Sequence, residues 1–154
     1  MAFSKAITGI DHSGSFRVYM AISTDVVQQA RELHHTSPAV TILLGRALTG
    51  SGLMGLMLRE PGYRLSLQFK GDGPVQQILC AADSAGNIKG YPTVSAVEIP
   101  LKEDGTADLG AVLGSGARLT DNNAETGGGV RVDSGICEMT GNAVIDNCTV
   151  DVNY

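Results

Sequence analysis

Apolar and polar residues alternate through the first part of the chain. Phe16, Val18, Met20 and Ile22 are separated by Arg17, Tyr19 and Ala21, the period of a strand with one covered face. A shorter strand-like run over residues 4–10 precedes it, with Asp11, His12, Ser13 and Gly14 between. Such residues suit a turn, so a hairpin is predicted. The period then lengthens. Val26, Val27, Ala30 and Leu33 fall at helical spacing behind Ser23, Thr24 and Asp25, which can cap an amphipathic helix.

Residues 38–59, PAVTILLGRALTGSGLMGLMLR, form the most apolar stretch. Thr36 or Ser37 can supply an N-cap oxygen, and Pro38 suits the first helical position, where a missing N–H costs nothing. Val40, Ile42, Leu43, Leu44, Leu48, Leu53, Met54, Leu56, Met57 and Leu58 go round the whole cylinder, which predicts a helix covered on all sides. Its 22 residues would span a bilayer. Arg46 argues against that, because a central arginine costs about 2.5–3.5 kcal/mol on insertion. Gly45, Gly50, Gly52 and Gly55 would each cost about 1 kcal/mol against alanine in a helix, so they imply close backbone approach or a break near Gly50. A buried central helix, or two short ones, is expected, with Arg46 needing a carboxylate or carbonyl partner.

Alternation returns at Leu65, Leu67 and Phe69, and stops at Gly71-Asp72-Gly73-Pro74. Strands over 75–82 and 88–91 complete an antiparallel meander. A further strand is expected over 94–101, a helical turn over 109–113, and another strand from 117. The pattern therefore mixes helices with antiparallel meanders around a buried central helix, an α+β class, and ends in a short glycine-rich β tail. That tail begins near Asp121, where GGGVRV, ICEMTGN, AVIDN and CTVDVN suggest short strands with the texture of β-solenoid coils. Solenoid units need neighbours, so the tail alone is expected to be marginal. The division is residues 1–120 as core and 121–154 as tail.

Composition narrows the partners. With 11 basic and 16 acidic residues the formal charge is −5, which disfavours nucleic acid. Tryptophan is absent, removing the usual stacking platforms. The first residues hold no apolar core of a signal peptide, so a cytoplasmic setting without a membrane partner is expected. Cys80, Cys137 and Cys148 make no close pair of the kind zinc needs, and Cys80 reads as a small core residue.

Candidate chemistry is sparse. Gly50-Ser51-Gly52-Leu53-Met54-Gly55 spells G-x-G-x-x-G, but it lies inside the helix pattern with no strand before it, so helix packing is the better reading. Gly71, Asp72 and Gly73 could form an anion nest, yet a tight turn explains them, with Asp72 a possible partner for Arg46. His34 and His35 read as a solvated helix end. Asp11, His12 and Ser13 are adjacent in a turn and cannot adopt the geometry of a nucleophilic triad. No enzyme is expected.

The ordered pieces resemble a family. SFRVYMAISTDVVQQARELHHTSPAVTILLGRALTGSGLMGLML, LSLQFKGDGPVQQILCAADSAGNIKGY and VEIPLKEDGTADLGAVLGSGARLT closely resemble the N-terminal domain of the redox-regulated 33 kDa heat-shock chaperonin. The likeness runs from about Phe3 to Thr120 and is most specific at LGRALT, the KGDGP turn and DGTADLGAVLG. It implies an α+β core with β-sheets sandwiching central helices, a cytoplasmic setting and ATP-independent capture of unfolding proteins during oxidative stress. It also implies a C-terminal zinc centre of four cysteines whose oxidation exposes the binding surface. None of Cys80, Cys137 and Cys148 matches those ligands, so no cofactor is expected in this chain, which reads as a truncated member without the switch. The tail more weakly resembles the coils of bacterial surface adhesins.

The leading expectation is therefore a holdase that binds unfolded client proteins under oxidative or heat stress, indifferent to peroxide. Leu53, Met54, Leu56 and Met57 are the candidate client-binding residues, since flexible methionines suit varied partners. The bland reading is that these four are ordinary core. A structural or adhesive surface fragment with a passive N-terminal domain is the alternative function. Unpaired sheet edges would favour a homodimer.

Overall fold

The computed structural model describes residues 1–99, 102, 103, 105 and 108–114, with short strands at 118–120, 130–132, 144–146 and 150–152. Strands β1 (Lys5–Ile10) and β2 (Arg17–Ile22) pair antiparallel, with Ile7 opposite Met20. Asp11 closes their turn: its Oδ1 accepts from Phe16 N at 2.8 Å and its Oδ2 from Ser13 N at 3.1 Å. Helix α1 (Thr24–His34) follows, and a left-handed His35 at φ 49° ends it. Val26 and Ala30 are its buried residues, whereas Leu33, expected on the same face, is 68% exposed.

Helix α2 (Pro38–Leu56) runs unbroken through Gly50 and Gly52. Pro38 opens it as expected, but Ser37 does not cap it with its side chain. Instead Ser37 Oγ donates to Val97 O at 3.1 Å and accepts from Val97 N at 3.2 Å, and Ser37 N donates to Ser95 O at 2.9 Å. The segment 94–99 is thereby held against the start of α2 and is not the strand its sequence suggests.

The main sheet contains β3 (Arg64–Lys70), β4 (Gln77–Asp83) and β5 (Ile88–Pro92), all antiparallel. After the short helix α3 (Leu109–Leu113) come β6 (Arg118–Thr120), β7 (Val130–Val132), β8 (Val144–Asp146) and β9 (Val150–Val152). The sheet order is β5-β4-β3-β6-β8, the last pair being parallel, while β7 and β9 form a separate parallel pair. A strand from beyond residue 120 thus lies at the edge of the main sheet. The expected strand around ICEMTGN lies outside the described residues.

The core sits between this sheet and α2. Leu65, Leu67, Ile78, Cys80, Ala82 and Ile88 point inward, and they are buried with Leu44, Ala47 and Leu48 of α2 and Val26 of α1 in one cluster. Each large aliphatic side chain so covered contributes about 1.5–3 kcal/mol. Glycine sets how close α2 comes. A Cβ at Gly55 would lie 2.8 Å from Asp83 O and 2.9 Å from Ala82 Cβ, while one at Gly45 would lie 3.0 Å from a Val27 methyl. These contacts explain why an apolar helix tolerates poor helix formers. The fold is α+β, as the hydrophobic pattern indicates.

Candidate functional site

Burial along α2 is not uniform. Pro38, Ile42, Arg46, Gly50 and Met54 recur every four residues and are all exposed, so one stripe of the helix is uncovered. The expectation of a helix covered on every side is corrected at this stripe. Apolar composition all round does not require burial all round once the sheet and α1 occupy the other faces. By length and composition α2 could cross a membrane, but half of its most apolar stretch is buried inside the protein.

The four candidate client-binding residues straddle this boundary. Met54 and Met57 are 37% and 52% exposed, whereas Leu53 and Leu56 are half-buried. Leu53 borders a groove of about 510 Å³ that runs between the start of α1 and the outer stripe of α2. Val27 and Ile42 form its other apolar walls, and Gly45 and Gly50 its low points.

A larger apolar surface escaped the pattern. In the β1–β2 pair, Ile7 faces Met20 and shares a side of the hairpin with Val18 and Ile22. Ile7, Val18, Met20 and Ile22 are 43–61% exposed, and Phe16 at the turn is 61% exposed. The alternation holds, but neither side is fully covered: every position of β1 is exposed, including Ile10 at 59% on the opposite side. Tyr19 and Ala21 are the half-buried positions, and the apolar set looks outward.

The residues expected to be structural occupy two separate places. Arg46 is exposed on the α2 stripe, so water solvates its charge and the need for a buried carboxylate or carbonyl partner lapses. Gly71, Asp72 and Gly73 pack instead on the end of α3: Gly73 N donates to Leu113 O at 2.9 Å, and Val75 N donates to Val112 O at 3.1 Å. A Cβ on Gly71 would overlap Leu113 O, and one on Gly114 would overlap Asp72 Oδ1.

His34 is not a solvated end. It is half-buried, with its Nε2 3.0 Å from Gly90 O and its ring 6.5 Å from that of Tyr91. With the Ile88 N to Met1 O bond of 2.6 Å, this contact covers the outer edge of β5. The G-x-G-x-x-G glycines lie within α2, where Gly52 faces Phe3 and Ile88. Cys80 is buried, and desolvation pushes its thiol up to about 11, with a small opposing effect from Ser51. The Ser51 hydroxyl is itself fully buried and has no partner of ordinary hydrogen-bond geometry. Among the described residues no group of three or more His, Cys, Asp or Glu converges as a metal site. Cys137 and Cys148 lie outside them.

Comparison with known proteins connects this chain to a family. The family model described as Hsp33 protein matches residues 4–149, which takes in much of the glycine-rich tail. Among curated relatives, a 33 kDa chaperonin of Thermus thermophilus is 37% identical over 124 residues, covering 80% of this chain and 36% of the relative. That of Symbiobacterium thermophilum is 38% identical over 110 residues, covering 71% of this chain and 37% of the relative. The crystal structure of the 33 kDa chaperonin (heat shock protein 33 homologue) of Thermotoga maritima superposes with a TM-score of 0.63 at 32% identity, covering 70% of this chain and 37% of that one. The chain thus spans little more than a third of the length of these relatives. The adhesin likeness of the tail finds no support among them. With the match running through most of its length and the same α+β core in the solved relative, this chain belongs to the Hsp33 family.

Proposed function

We propose that the chain acts as an ATP-independent holdase, binding unfolded proteins in the cytoplasm under oxidative or heat stress through uncovered apolar surface. The observation that carries this reading is the outward side of the β1–β2 hairpin, Ile7, Val18, Met20 and Ile22, on a member of a family whose relatives are named chaperonins. Contiguous exposed apolar surface marks an interaction site. Capture of unfolded chains needs hydrophobic burial and no bond chemistry. Met54 and Met57 add flexible side chains that adapt to varied clients.

An enzymatic role has little to work with among the described residues. The Cys80 thiol is un-ionised at neutral pH, and the His34 Nε2 is held by a backbone carbonyl. Apolar capture of this kind uses no ionised thiol among the described residues, so peroxide is not expected to alter it. Homodimers and unfolded clients are the proposed partners; nucleic acid and membrane are not.

Light scattering of a heat-aggregating client tests the reading. Suppression near equimolar chain, without nucleotide and equal before and after peroxide, is the expected result. Undiminished aggregation at several-fold molar excess would exclude it.

A further inference from the structure

We infer that the groove between α1 and the outer stripe of α2 selects apolar client segments that carry a carboxylate, with Arg46 as the selecting residue. This rests on the holdase reading and names the class of segment that the surface prefers. The groove's volume is about 510 Å³, enough for a few side chains of a guest. Its walls are Val27, Ile42 and Leu53, and its floor drops at Gly45 and Gly50. No atom outside the local helix lies within 4 Å of where a Gly50 Cβ would stand.

The polar side chains along it are mostly spent. Thr49 Oγ1 donates to Gly45 O at 2.7 Å, and Thr41 Oγ1 donates to Ser37 O at 2.9 Å. Each hydroxyl is thus turned back on its own helix. Arg46 is the charged residue of the lining, and it is exposed. A guest side chain laid over Gly50 meets hydrocarbon beside a guanidinium, whose planar fork pairs with a carboxylate through two hydrogen bonds. An amide guest accepts a weaker bond there because it lacks the opposite charge, and an ammonium is repelled. The net charge of −5 does not cancel this preference, because distant charges are screened over about 10 Å while the contact pair is not.

The test uses the whole chain and labelled leucine–alanine peptides with a central Glu, Gln or Lys, followed by fluorescence anisotropy. The Glu peptide is expected to bind about two- to fivefold more tightly than its Gln twin, the range of an exposed ion pair, and the Lys twin more weakly still. Arg46→Gln, at an exposed position, should leave the melting temperature unchanged while erasing the Glu preference, so that the Glu and Gln peptides bind alike. Gly50→Leu, which fills the floor, should weaken all three. Equal affinity for Glu and Gln, or a preference that survives Arg46→Gln, overturns the inference and leaves the holdase reading to its own scattering test. Absence of peptide binding, with self-association that Gly50→Leu abolishes, overturns it in favour of a second copy as the occupant.

Discussion

Three positions of α2 differ in what surrounds them, and at the two glycines the difference sets opposite responses to the same substitution. At Gly55 a methyl group would meet the Asp83 carbonyl and Ala82 Cβ, at 2.8 and 2.9 Å, and backbone yields poorly. Gly55→Ala should therefore destabilise by about 1–3 kcal/mol, the usual cost of overpacking. At Gly50 the space is open, so Gly50→Ala should stabilise by up to about 1 kcal/mol through helix propensity alone. Urea denaturation of the two variants beside the parent measures both signs at once. The third, Ser51, sits over the buried Cys80 thiol, whose pKa of about 11 leaves almost no thiolate at neutral pH. Cys80 should resist iodoacetamide at pH 8 in the folded chain and react when urea exposes it, as mass spectrometry of the labelled peptide would record. Labelling at the same rate in both states would contradict the burial. Asp83 gives a pH signature. Its carboxylate accepts from Asn87 Nδ2 and from the Asn87 and Ala85 amides at 2.9–3.0 Å, and these bonds, the Asn87 side chain first, hold its pKa below the ordinary 3.8. A depressed folded pKa stabilises above the unfolded value and is lost as pH falls through the folded one. Asp83→Asn should thus lower stability at pH 7 and make little difference at pH 2 in parallel urea melts.

The hairpin and the central helix show at the level of elements what the chain's pattern reveals. Period two over residues 16–22 and the turn residues at 11–14 gave β1, β2 and their connection, because local sterics and alternation set these. Which side of the hairpin is covered depends on what packs there, and alternation alone does not encode that. The same holds for α2, whose start at Pro38 was legible and whose exposed stripe was not, since every position on it except Arg46 is apolar or small. Ser37 misled for a different reason: its hydroxyl suits an N-cap, but two bonds to Val97 claim it, and nothing local announces a partner sixty positions away. His34 likewise reads as a helix end until Gly90 of β5 is beside it. Of the candidate site, Met54 and Met57 were visible as flexible apolar residues, and the hairpin side was not. If that side binds clients, Val18→Thr with Met20→Thr should reduce suppression of client aggregation several-fold. Threonine keeps strand propensity, and exposed positions contribute little to stability, so the chain's own unfolding free energy should shift by about 0.5 kcal/mol or less. Unchanged suppression with reduced binding of an apolar dye would sever the hairpin from client capture.

For the whole molecule the controlling balance is between uncovered apolar surface and charge. The chain has a formal charge of −5 at pH 7 and an isoelectric point near 5.0. Like-charge repulsion opposes contact between copies, and it vanishes as pH approaches the isoelectric point. The apolar side of the hairpin does not titrate, so its attraction persists while the repulsion fades. Two paired strands are also marginal alone in water and gain from added strands, which makes the hairpin the place where copies should meet first. Scattering from the chain by itself should therefore stay low at pH 7.5 and rise steeply between about pH 6 and 5 at low salt. Adding salt at pH 7.5 should raise it too, by shortening the range of the repulsion to about 3 Å at 1 M. The Val18→Thr, Met20→Thr variant has the same net charge, so any loss of this rise belongs to the hairpin surface and not to altered electrostatics. Identical pH profiles for parent and variant would assign the association to another surface, with the α2 stripe and its groove next to be examined through Gly50→Leu.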